Sequence, residues 1–156
     1  MLSQQIAKHF EDVMSGNNWT SVNVKTTLEG VDWKLATHKI EGYNTLATLV
    51  YHMNYYVHEV IKVLQGSPLT ASDKFAFTHP PIENQHDWET LLDQIWKDAA
   101  LFKTLISDIP DDIWFKDFSD PKYGNYFRNI IGIMEHMHYH LGQIVILKKL
   151  IFNTNH

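Results

Sequence analysis

Two histidines four residues apart, His136 and His140, stand within the stretch MEHMHYHLGQIVILKKL, part of the chain's longest run of helical apolar periodicity. Residues four apart on a helix have Cβ atoms about 5–6 Å apart, so both imidazoles can reach one ion. Zinc takes imidazole nitrogen at about 2.0–2.1 Å, within reach of two such side chains. Spacing alone is a weak signal. With 10 histidines in 156 residues, composition by itself would yield roughly 0.6 pairs at this spacing. Context carries more: Asn129, Ile133, His136, His140 and Gln143 share one face beside Met137, Leu141 and Ile144, which puts both rings at the edge of a core. Unpaired imidazoles are costly to bury, and a shared divalent ion removes that cost.

Two ligands from one helix rarely suffice, and His52 supplies a third. It lies near the middle of another helical segment, flanking the stripe Leu49, Met53 and Tyr56, at a height comparable to the pair. The rival reading is three ordinary histidines bonded to carbonyls or side chains. His138 points to the opposite side of its helix and His58 to a different face from His52, while His9, His38, His79, His86 and His156 have no patterned companions and are expected at the surface. Helical register nominates Tyr55, Tyr56 and Glu59 near His52, and Asn129 and Gln143 near the pair, as groups that orient the imidazoles.

Three neutral imidazoles leave the ion's charge in place and a coordination position open to water, thiol or substrate. That arrangement is expected of a metal-dependent enzyme, of transferase or hydrolase type, acting on a small molecule. A non-catalytic helical bundle, stabilised by the metal or sensing a ligand, is the alternative. Zinc, nickel and iron all accept imidazole, so the donor set does not choose among them. No general base is singled out.

The elements that must position these residues are helices. Leu2, Ile6, Phe10 and Val13 mark a first helix over residues 2–15, ended by GNNWT. Residues 17–42 are mixed, with a short helical turn expected between Thr27 and Ala36 and Trp33 packing inward. A second helix runs from Asn44, its expected cap, to Leu64 and stops at Gly66, Ser67 and Pro68. Residues 66–83 hold three prolines and read as a crossover loop. A third helix begins at Asn84 or Gln85 and ends before Pro110, with Trp88, Leu91, Leu92, Ile95, Trp96, Ala99, Phe102 and Leu105 inward. The last spans about Asn125 to Leu150, with Ile130, Ile133, Met137, Leu141, Ile144 and Leu147 inward and Lys148 and Lys149 favourably placed at its C-terminal dipole. The fold expected is all-α: a single domain over residues 1–156, a four-helix bundle with a long crossover between helices 2 and 3.

Composition bounds the function. There is no cysteine, which excludes disulfides, thiolate ligands and a cysteine nucleophile. A formal charge of -5 and a single arginine, Arg128, argue against nucleic acid as a partner. No run of 18 apolar residues and no secretory signal is visible. The expectation is a cytoplasmic protein without a membrane partner.

The stretches NTLATLVYHMNYY and MEHMHYHLGQIVILKKL resemble the two motifs of the DinB-like metalloenzyme family. In that pattern a helix-borne histidine, here His52, joins an H-x-x-x-H-x-G-Q motif, here His136, His140, Gly142 and Gln143. The resemblance spans most of the chain and implies four helices with a long crossover between the second and third, at residues 66–83. It also implies dependence on zinc, nickel or iron and, in some members, a low-molecular-weight thiol as cosubstrate. Homodimers are common in the family, and the loop aromatics Trp19, Phe75, Phe77 and Trp114 offer apolar contact for a homodimer or for the core.

Overall fold

Short polar side chains set the helix starts. Asn23, Asp32, Thr45, Asn84 and Asn125 each precede a helical segment, and each side-chain oxygen accepts the backbone N–H three residues on. One of the donors left open at a helix start is thereby satisfied. In the computed structural model, which describes residues 1–154, these caps open five of six helices. They are α1 (Leu2–Met14), α2 (Val24–Leu28), α3 (Trp33–Ala36), α4 (Leu46–Leu64), α5 (Gln85–Ser107) and α6 (Tyr126–Thr154), with a 3-10 turn at Pro121–Tyr123. The fold is all-α, and no strand occurs among the described residues.

The four longer helices pack in pairs: α1 against α5 and α6, and α4 against α5 and α6. The buried stripes follow the 3.6-residue period, with Ile6, Phe10 and Val13 on α1 and Trp88, Ile95, Ala99, Phe102 and Ile106 on α5. Phe10 meets Phe102 edge to face at a centroid distance of 4.8 Å, a geometry that adds to the burial of both rings. All six inward residues expected on α6 are buried. Polar tips of core aromatics are also satisfied. Trp88 donates its indole N–H to the Val31 carbonyl at 2.8 Å, and Trp114 donates to the Ser3 hydroxyl at 2.9 Å.

Several expectations need correction. The cap of α4 is Thr45, whose hydroxyl accepts from the Thr48 N–H at 3.1 Å, and not Asn44. The turn expected between Thr27 and Ala36 is two helices, α2 and α3, separated where Gly30 takes a φ of 74° and Asp32 opens a new N-terminus. Trp33 is half-buried against the core. Helix α6 continues past Leu150 to Thr154. Its Lys148 does not serve its own C-terminus but donates to the Thr27 and Glu29 carbonyls at 2.8 and 2.7 Å, which ties α6 to the end of α2. Of the four loop aromatics only Trp114 is core; Trp19, Phe75 and Phe77 are exposed. His156 lies outside the described residues.

The segment between Leu64 and Gln85 contains no helix. It lies against α4 through hydrogen bonds from Ser72 N–H to the Tyr55 hydroxyl, from Tyr56 to Asp73, from Thr70 to Glu59, between His52 and the Ala76 carbonyl, and between Thr48 and His79. No described helix is long and apolar enough to cross a membrane.

Candidate metal centre

Packing of α4 on α6 brings His52 opposite His136 and His140. Ring centroids lie 4.8 Å apart for His52 and His136, 4.6 Å for His52 and His140, and 4.5 Å for the pair on α6. One nitrogen from each ring falls within 4.8 Å of the others. Two metal–nitrogen bonds of about 2.1 Å span at most about 4.2 Å, so small side-chain rotations would seat one ion among all three. His52 and His140 are buried and His136 is half-buried.

Hydrogen bonds identify which nitrogens are free. His52 Nδ1 lies 3.0 Å from the Ala76 carbonyl, which can only accept, so Nδ1 carries the proton and Nε2 is a bare acceptor. His140 Nδ1 faces Gln143 Oε1 at 2.7 Å, which by the same argument leaves its Nε2 free. Phe77 stacks flat on His52 at 3.8 Å, and Tyr56 stands edge-on to both His52 and His136. These neighbours hold the rings in place and screen them from water.

The electrostatics favour neutral rings at His136 and His52. Burial, followed by repulsion from His140 and His52, pulls His136 down to about 4 from an ordinary value near 6.5. His52 is lowered chiefly by burial, against the opposing pull of the Ala76 carbonyl. Neutral imidazole is the form that ligates metal.

The residues fit a divalent cation better than they fit one another. His136 Nε2 lies 3.0 Å from His52 Nε2, while His136 Nδ1 is buried with no partner. If the proton sits on Nε2, a bare Nδ1 is stranded; if it sits on Nδ1, that N–H is stranded and two lone pairs confront each other. A cation among the Nε2 atoms turns the second, repulsive arrangement into an attractive one.

Of the orienting groups expected from register, Gln143 contacts His140, and Tyr56 packs on two of the rings. Tyr55 instead supports the loop at Ser72. Glu59 is buried, paired with Lys62 and accepting from Thr70. Asn129 donates to the Tyr123 and Asn125 carbonyls at the start of α6. His58 pairs with Asp98 across α4 and α5, and His138 bonds the Met134 carbonyl, so neither joins the cluster. His9 and His86 are exposed as expected, whereas His38 and His79 are half-buried, His79 lying 3.3 Å from the Thr48 hydroxyl. Sequence reasoning misses Ala76, Asp73 and Phe77, which reach the site from the loop before α5. A backbone carbonyl leaves no trace in residue type, and the other two stand in no periodic pattern.

His52 and His136 line a cavity of about 840 Å³, together with Tyr56, Glu59, Asp73, Phe118, Phe127 and Arg128 among others, while His140 lies outside its lining. The cavity's volume is in the range of small-molecule sites. No protein-family model, curated protein or solved structure matches the chain.

Proposed function

We propose that the chain is a metal-dependent enzyme, of transferase or hydrolase type, that acts on a small molecule at His52, His136 and His140. One observation carries the reading: three imidazole nitrogens lie close enough to share an ion, and two of the rings, His52 and His136, line a cavity large enough for a substrate. A purely structural ion would have no need of the cavity. The sequence motifs that resemble the DinB-like family support the same reading, together with its four-helix bundle and long crossover, here the segment between α4 and α5. The resemblance extends to zinc, nickel or iron as the ion, a low-molecular-weight thiol as cosubstrate, and pairing as a homodimer.

A divalent ion held by the triad supplies Lewis acidity to an oxygen or sulfur nucleophile or to a carbonyl. The chain's own groups do the rest. Ala76 and Gln143 fix the ring orientations, and Phe77 and Tyr56 cover the rings. Burial pushes the Tyr56 phenol well above its ordinary value, and its hydroxyl donates to the Asp73 carboxylate at 2.5 Å. Tyr56 thus stays protonated beside the triad, a donor and not a base.

The test is turnover before and after metal removal. Chelator-stripped protein is assayed against a panel of esters, and against electrophiles with added thiols, then again after reloading with zinc, nickel or ferrous iron. Activity restored by one of these ions and absent in His52→Ala is expected. Turnover indifferent to stripping contradicts the proposal. A structural ion is the second reading, favoured by the burial of His52 and His140 between α4 and α6. It predicts a large loss of thermal stability on stripping and no turnover with any ion.

A further inference from the structure

The chain's single arginine lines the same cavity as His52 and His136. Arg128 forms no ion pair among the described residues. Its stem lies over Gly124, where an added Cβ would stand 2.8 Å from Arg128 Cδ and where φ is 79°. Any L side chain at Gly124 would therefore be strained and would displace the arginine. The cavity's acidic groups leave Arg128 available: Glu59 is paired with Lys62, Asp73 accepts from Tyr56, and Glu135 is exposed two turns further along α6 without an ion pair to it.

Arg128 and His136 are eight residues apart on α6, a rise of about 12 Å. The cavity's apolar wall includes Val60, Leu69, Phe118, Phe127, Ile131 and Ile133. A lone guanidinium matches the fork of one carboxylate, whereas phosphate sites usually recruit more positive charge than this acidic chain offers.

We propose that the cavity takes a small organic acid with an apolar body, its carboxylate held by Arg128 and its other end directed to the three histidines. This rests on the reading of the triad as a substrate site, and it names the class of substrate. Arg128 acts as the specificity-determining residue: it discriminates the acid from its neutral analogue.

The test uses two probe pairs, followed by calorimetry on the full chain and on Arg128→Gln, with circular dichroism to confirm that the variant folds. One pair, for zinc-loaded protein, is a linear dicarboxylic monohydroxamate and its terminal-amide twin, so that the hydroxamate takes the ion and only the far end differs. The other, for metal-free protein, is phenylbutyrate and phenylbutyramide. In both pairs the acid is expected to bind about tenfold tighter than the amide, and Arg128→Gln to erase that preference. Equal binding of acid and amide by the unaltered chain overturns the proposal. So does a preference that survives in Arg128→Gln, since the acid is then held elsewhere. The metal-free pair reads Arg128 independently, so a chain that binds no metal would refute the metal site while still deciding this inference.

Discussion

Two polar clusters sit against α4, and they differ in how completely their hydrogen bonds close. Toward α5, the buried carboxylate of Asp98 accepts from Gln94 at 2.8 Å and from Asn54 at 2.7 Å, and His58 lies 3.2 Å away. Both of its oxygens are engaged, and it is not among the residues lining the large cavity. Toward α6, three imidazoles each bring one nitrogen within 4.8 Å of the others, one ring atom is buried without a partner, and a cavity opens beside two of the rings. Burial and polarity are common to both clusters. Convergent, unspent acceptors at an opening distinguish a binding site from a polar cluster that fixes how two helices pack.

The sharpest way to break this contrast is to remove a ligand. His140→Ala is expected to lower bound metal from one ion per chain to almost none, by elemental analysis, while Asp98→Ala leaves metal content unchanged. Parallel loss of metal in both variants would erase the distinction.

Acid should separate the clusters next. In metal-free protein the unfolded chain protonates its histidines near 6.5 while folded His136 resists until about 4. The stability this group contributes is therefore full above 6.5 and is lost as pH drops toward 4. His52, lowered in the same direction, adds to the loss. Urea unfolding at stepped pH measures it. Metal-free His136→Ala should flatten the profile, and Asp98→Ala should keep it.

Truncation of Asp98 comes next, at about 1–3 kcal/mol of stability, because Asn54 and Gln94 lose their acceptor. Gln143→Ala should weaken metal binding by about tenfold with little change in the stability of the metal-free fold, since the amide orients His140 from behind. Smallest of all, His58→Ala should cost under about 1 kcal/mol, as the histidine side chain of that pair is half exposed.

What the sequence reveals follows the same division. His136, His140 and Gln143 are legible because a helix repeats every 3.6 residues and the apolar stripe of α6 is regular through Leu147. His52 needs the flanking stripe of α4 and the motif together. The boundaries of α1 and α5 fall where Gly16 and Asn84 suggest, whereas α4 opens one residue later than Asn44, because adjacent polar residues both make good caps. Asp98 escapes notice, as a lone acid on a helix reads as solvated until α4 packs over it. The carbonyl of Ala76 and the ring of Phe77 are set by the path of an irregular segment, which long-range contacts decide and local periodicity does not encode.

The central claim is that His52, His136 and His140 close on one divalent ion. X-ray absorption spectroscopy of untagged protein loaded with zinc reads the ligands directly. It should show one ion per chain with three imidazole nitrogens at about 2.0–2.1 Å, falling to two or losing the ion altogether in His52→Ala. A chain that retains no zinc, or a coordination shell that does not change when His52 is replaced, would contradict it.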